Sequence, residues 1–319
     1  MDSRGTPIVT RRQFDEELEQ VRARVRTPAE GLFGPASVTW RISQDALVFL
    51  GAGRAALLQL AHPYVAHAIE QHSETRRDPV GRFNRTFQHV FGMIFGDLDA
   101  ALSAADRVRR IHDHVHGAID EDVGRFARGH RYSAHDAGAL RWVFATLVDT
   151  SVMAFEMGFG PLSAADRETY YRELCGFARL FGLGDALLPG DWAAFRAYVA
   201  SMVAGDELAV GRPARDVGMF LLSAPSAPMV PVMRWYTTLT AGMLPPRIRE
   251  GYGLPFSRAD ALVYDASLRG LRLGWRRLPR RLRLRPEYVE AKRRLAGRPR
   301  PDRLGRALQD ALLRTVRHG

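Results

Sequence analysis

The chain holds one cysteine, Cys175, among 319 residues. A single thiol cannot close an internal disulfide or build a cysteine-ligated zinc or iron–sulfur site, so the composition suits a reducing compartment. Zinc held by histidine and carboxylate stays open. Long hydrophobic runs are also missing, and no stretch reaches the ~18 to 20 apolar residues that span a bilayer. The opening Met1-Asp2-Ser3-Arg4-Gly5 lacks the apolar core of a signal peptide, so the expectation is a soluble, cytoplasmic protein without a transmembrane helix. Lysine is nearly absent, Lys292 being the one lysine among 46 basic residues. So uniform a use of arginine fits a genome-wide bias as readily as selection for phosphate recognition. Runs of β-branched residues with period two are scarce, which argues against an extended sheet.

What remains is ordinary for a protein with a sizeable core: 46% hydrophobic and 25% charged residues exclude a disordered or collagen-like chain. The net charge of +11 is unevenly placed. Residues 269–319 hold 17 of the 46 basic groups and 4 of the 35 acids, leaving 29 basic against 31 acidic in residues 1–268. The body is neutral and the tail is basic.

Apolar patterns near period 3.6 predict helices over 13–26, 44–61, 63–72, 79–95, 98–118, 136–158, 163–182, 190–204, 213–223, 229–243 and 257–272. Ser133-Ala134-His135-Asp136 and Ser163-Ala164-Ala165-Asp166 read as helix starts close to a capping box. Gly158, Gly160 and Pro161 punctuate a turn between them, so 136–182 reads as a helical hairpin. The expected architecture is all-α: one large domain of about ten helices over 36–270, an N-terminal helix and linker over 1–35, and a basic extension over 271–319.

Three local signals carry possible chemistry. Leu47-Val-Phe-Leu-Gly51-Ala-Gly53-Arg54 imitates a strand entering a dinucleotide-binding turn. The parallel strand and acid that should follow are replaced by helical spacing at His62-Pro63-Tyr64-Val65-Ala66-His67, so the glycines are better read as close-packing positions. Histidines flank one helix at His62 and His72 and cluster at His112, His114 and His116; on a helix His112 and His116 would share a face, suited to a metal or to carboxylate partners. Arg82, Arg85 and Thr86 open another apolar helix, where they would line one pocket wall or simply occupy an exposed first turn.

These stretches occur in a telling order: Gly51-Ala-Gly-Arg through Ala61-His62-Pro63, His72-Ser73, Asp78-Pro79, Arg82-Phe-Asn-Arg-Thr86, Arg110-Ile-His112, Tyr132-Ser-Ala134, Leu140-Arg-Trp-Val143, Gly160-Pro-Leu-Ser163 and Tyr170-Tyr-Arg-Glu173. In that succession, over about residues 40–240, the chain resembles the MpaB/rubber oxygenase (latex-clearing protein) family. The weaker Arg285-Pro-Glu-Tyr288 fits the family's C-terminal end. The resemblance implies an all-helical haem b oxidoreductase that uses dioxygen on a hydrophobic alkene or isoprenoid-like substrate. It implies His112 as the axial iron ligand, with His62, His72 and Phe144 as further cofactor-binding candidates. Arg82, Arg85 and Thr86 become the catalytic set on the distal side, where a guanidinium donates hydrogen bonds to dioxygen as it gains negative charge. Two departures stand out. Arg85 replaces a lysine of the rubber-cleaving members and cannot ligate iron, and Phe144 stands where the family often has a histidine. The second departure motivates another expectation, a non-catalytic lipid- or isoprenoid-binding protein on the same fold.

The tail from Leu268 to Arg285 interleaves arginines with leucines and Trp275. Three readings follow: leucines docked on the body with arginines reaching water, peripheral membrane contact through 269–294, or nucleic-acid binding. No zinc finger or RNA-binding fingerprint accompanies the charge, which makes nucleic acid the least favoured partner.

Overall fold

The computed structural model describes residues 7–72 and 89–307. Helices α1 (Arg11–Arg24), α2 (Val38–Ser43), α3 (Ala52–Leu60) and α4 (Pro63–His72) lead to helical residues 89–95 (α5) and then to α6 (Leu98–His112). A short antiparallel pair follows, β1 (His116–Ala118) with β2 (Arg131–Ser133), in the register Gly117 to Tyr132. The chain continues through α7 (Ala137–Phe159), α8 (Ala164–Arg179), α9 (Trp192–Ala204), α10 (Arg212–Leu222), α11 (Val230–Met243) and α12 (Pro246–Gly251). It ends in α13 (Arg258–Gly274), α14 (Arg280–Arg283) and α15 (Pro286–Leu295). The architecture is all-α: with a last helical stretch at 303–307 the described residues hold sixteen α-helical segments, where the sequence pattern suggested eleven.

Helix α7 is the axis. Asp136 caps its start by accepting from the Ala139 amide at 2.8 Å, and Gly160 ends it at φ +85°, a conformation that disfavours any side chain. By length and mean hydropathy it could cross a bilayer, though Arg141, Asp149 and Glu156 interrupt its apolar run. Most of it is buried, and its partners are α3, α8, α13 and the 3₁₀ segment Ala46–Gly51. Ser163 caps α8 by accepting from Asp166, completing the predicted hairpin. At the other predicted box the cap is Asp136, because Ser133 belongs to β2 and accepts from the His135 amide instead.

The predicted 98–118 helix stops at His112. Turn bonds from the amides of His114 to the Ile111 carbonyl and of Val115 to the His112 carbonyl close it, and residues 116–118 leave as a strand. The predicted 44–61 helix is likewise split into the 3₁₀ turn and α3.

The N-terminal helix and C-terminal extension share the body's core. Phe14, Leu18 and Val21 of α1 and Ala291 of α15 belong to the same apolar cluster as Trp142 and Phe144. The extension is tied down at Asp45, which accepts from Trp275 Nε1 at 2.7 Å and pairs with Arg283 at 3.1 Å. The Arg285 amide donates to the Gln44 carbonyl, and its buried guanidinium lies over the Phe91 ring while pairing with Glu287. The tail is docked on the body, through Trp275, Arg283 and Arg285 as well as Leu268 and Leu271, so the expectation of docked leucines with arginines in water holds only in part.

Candidate functional site

The glycine-rich stretch builds one wall of a cavity. A Cβ on Gly51 would lie 2.5 Å from Thr150 Cγ2 on α7, and one on Gly53 would lie 2.6 Å from Thr240 Oγ1 on α11. Glycine lets three helices meet there. Arg54 locks them: its guanidinium donates to Asp149 Oδ2 and Thr150 Oγ1 at 2.6 Å each, and its Nε donates to the Met243 carbonyl at 2.9 Å. Both Arg54 and Asp149 are buried, and Arg196 also pairs with Asp149. A dinucleotide has no place in this arrangement. The motif is helix-packing hardware.

Between α3, α5, α7, α8 and α10 lies a cavity of about 200 Å³. Its walls are mainly aliphatic and aromatic, with Ala56, Phe91, Phe144, Leu147 and Phe177 facing it and Gln59 among the few polar groups. Gln59 is already engaged, donating to Thr146 Oγ1 at 2.9 Å. Other motif residues secure the walls. Tyr170 lines the cavity, and Glu173 accepts from the Val38 and Thr39 amides to hold the start of α2. Trp142 Nε1 donates to the Leu58 carbonyl at 2.7 Å, fixing α7 against α3. Phe144 is buried within the wall itself.

The histidines lie elsewhere. His62 is buried against Tyr64 and Phe126, its Nδ1 accepting from the Tyr64 amide at 3.3 Å. Burial, helped by nearby Arg125, pushes it down to about 4, so it is neutral. His72 is exposed and its Nε2 bonds the His116 carbonyl at 3.0 Å. His112 ends α6 half-buried, its ring 6.0 Å from that of His135. Burial first, then His135 and Arg109, lowers it to about 4. His135 Nε2 bonds Asp113 Oδ1 at 2.8 Å, and Arg109 pairs with the same carboxylate. Because α6 ends at His112, His116 sits on β1 and the two share no helical face; with His114 exposed, the expected pair of imidazoles one turn apart does not form.

One grouping was invisible in the sequence because its members are far apart in the chain. Buried His67 donates Nδ1–H to the Pro63 carbonyl, while its Nε2 lies 2.9 Å from Asp120 Oδ1 and 3.9 Å from Glu121. Arg212 reaches in from α10, 2.7 Å from Asp120 and 2.8 Å from Glu70. That guanidinium supplies the positive charge a metal would otherwise bring, and the set is read as an ion-pair clasp between α4, the 119–130 loop and α10.

Arg82, Arg85 and Thr86 lie outside the described residues. Their neighbours in the chain mark two places: His72, on the His116 carbonyl, precedes them, and Val90, on the cavity wall, follows them. As a test of fit for haem, the described cavity lining offers no imidazole, thiolate or carboxylate, and its volume is below the roughly 300 Å³ at which small-molecule sites usually begin. His112 does fit an axial role. Its imidazole is neutral at physiological pH, so a ring nitrogen keeps its lone pair, and no described residue hydrogen-bonds that ring. The cavity suits a hydrocarbon chain, and His112 is not among the residues that line it.

A profile of the family described as ER-bound oxygenase mpaB/B'/Rubber oxygenase, catalytic domain, matches residues 40–273, from α2 to the end of α13. No curated protein and no solved structure matches the chain.

Proposed function

Because the chain belongs to the mpaB/B' and rubber oxygenase catalytic-domain family, we propose that it is a haem b-dependent oxygenase acting with dioxygen on a hydrophobic alkene. What supports this reading is the family match, together with a mainly apolar cavity and, apart from it, a neutral, half-buried imidazole at His112. Haem b, when bound, would supply the oxygen chemistry that breaks a carbon–carbon double bond. The chain's own part is placement. His112 would hold the iron through a ring nitrogen. Arg82 and Thr86, with Arg85 beside them, would present hydrogen-bond donors where negative charge develops, a role taken from the family likeness. The cavity between α3 and α7 would take the substrate's hydrocarbon and keep bulk water from it.

The test is the visible absorption spectrum of protein expressed with haem precursor, with a pyridine haemochrome assay for stoichiometry. A Soret band with one haem per chain, lost in His112→Ala and kept in His135→Ala, supports the assignment; no haem after reconstitution removes it. Phe144 favours a second reading, a lipid- or isoprenoid-binding protein that has shed the cofactor, since an apolar ring completes the cavity wall where the family often has a histidine. Under that reading the wild type binds a prenyl chain without haem, and Phe144→His gains haem affinity.

A further inference from the structure

The outermost layer of the molecule is greasy and basic at once. Helix α13 runs for 17 residues without one fully buried side chain. Tyr264, Leu268 and Leu271 pack inward toward Leu239 and Met243, while Leu262 and Leu273 stand 68% and 64% exposed, three helical turns apart on the opposite side. Val263, Leu278 and Leu282 extend this apolar surface toward α14. On α11, Val230, Val232 and Trp235 are exposed, and Trp235 Nε1 donates to Ser267 Oγ at 2.9 Å, which joins the two helices into one face. Residues 258–283 carry eight arginines against two aspartates. No described acid pairs with Arg269, Arg272, Arg276, Arg280 or Arg281, all of them exposed.

We propose that this face, formed by the first half of α11 with α13 and α14, seats the protein on an anionic lipid bilayer. The inference goes beyond the oxygenase reading and does not depend on it. Exposed leucines and valines lose water by entering the acyl boundary, Trp235 has the amphipathic ring suited to that depth, and the arginines reach back to the phosphates on their alkyl stems. Nucleic acid would satisfy the guanidinium groups and leave Leu262 and Leu273 in water. A second copy of the chain would cover the leucines and set one field of arginines against another. A bilayer with anionic headgroups satisfies both halves. The inner side of the same layer is pinned by Trp275 and Arg283 on Asp45, so the face is presented by a fixed part of the fold. On α10, which neighbours α11, Met219 and Phe220 are exposed while Val217 and Leu221 line the cavity.

The test is co-sedimentation of the full chain with phosphatidylcholine vesicles, with and without phosphatidylglycerol. Binding to the anionic vesicles should exceed binding to the neutral ones by about tenfold or more and should weaken with salt. Two variants divide the contributions: Leu262→Glu with Leu273→Glu, and Arg269→Gln with Arg272→Gln and Arg276→Gln. Both alter exposed side chains and should leave circular dichroism unchanged. Each should lose vesicle binding, and quenching of tryptophan by bromine-labelled lipid should disappear in the leucine variant. Equal pelleting by the wild type and both variants would overturn the proposal. So would a dimer in light scattering that the leucine variant alone dissolves, because that result assigns the face to a second copy.

Discussion

A buried imidazole, His62, and a half-buried one, His112, should make the protein sensitive to acid. The unfolded chain protonates a histidine near pH 6.5, whereas folded His62 and His112 resist protonation until about pH 4. Their folded values are depressed, so the stability they contribute is whole above pH 6.5 and is lost as pH falls toward 4. For fully buried His62 the difference is on the order of 3 kcal/mol. Urea unfolding at pH 7 and at pH 4.5 should show this loss, and His62→Phe, which keeps a ring between Tyr64 and Phe126, should flatten the dependence; an unchanged slope would remove His62 as the cause. At Gly51 the constraint is space. A methyl group there meets Thr150 Cγ2 at 2.5 Å, so Gly51→Ala should cost about 1–3 kcal/mol and lower the melting temperature. The packing role of this glycine was legible in the sequence, because no acid-bearing strand followed it. The surroundings of His112 were not legible, since the residues that set its charge state include His135, which the fold brings back to it.

At the scale of elements, the join between α3 and α7 rests on the buried Arg54–Asp149 pair. Removing one partner strands the other charge in a dry interior. Asp149→Ala should therefore destabilise by about 3–5 kcal/mol, while Arg54→Met combined with Asp149→Leu should recover much of that loss. Denaturant midpoints of these two variants and of the single Arg54→Met and Asp149→Leu changes would show it, and strict additivity of the single costs would deny the coupling. Most helices were readable because their apolar stripes are long: α4, α7, α9, α10, α11 and α13 start and stop within about two residues of the expected positions. The β1–β2 pair was not readable, since three-residue strands are too short to show alternation. Helix α6 ended six residues early because the amides of His114 and Val115 took turn bonds and the chain then paired with β2.

For the molecule as a whole, the cavity is the feature to test. Ala56 faces it from α3, so Ala56→Phe should fill part of its 200 Å³ with little change in overall stability. Binding of a prenyl-chain probe, followed by tryptophan fluorescence, should weaken by about tenfold or more. Unchanged binding would place the hydrocarbon site somewhere else. The space lies between α3 and α7, with residues of α5, α8 and α10 lining its other sides.

Helical class, the hairpin of α7 and α8, the neutral body with its basic tail, and the family likeness were all determined by the sequence itself, because each depends on local period, capping residues or the order of short motifs. Tertiary structure alone decided that Arg54 is a buried lock, that His67, Asp120 and Arg212 form a clasp, and that His112 stands apart from the cavity lined by Phe144. It also decided which leucines of the basic tail turn inward and which face water. These outcomes depend on where distant segments meet, and burial, which sets both charge and packing energy, exists only once they have met.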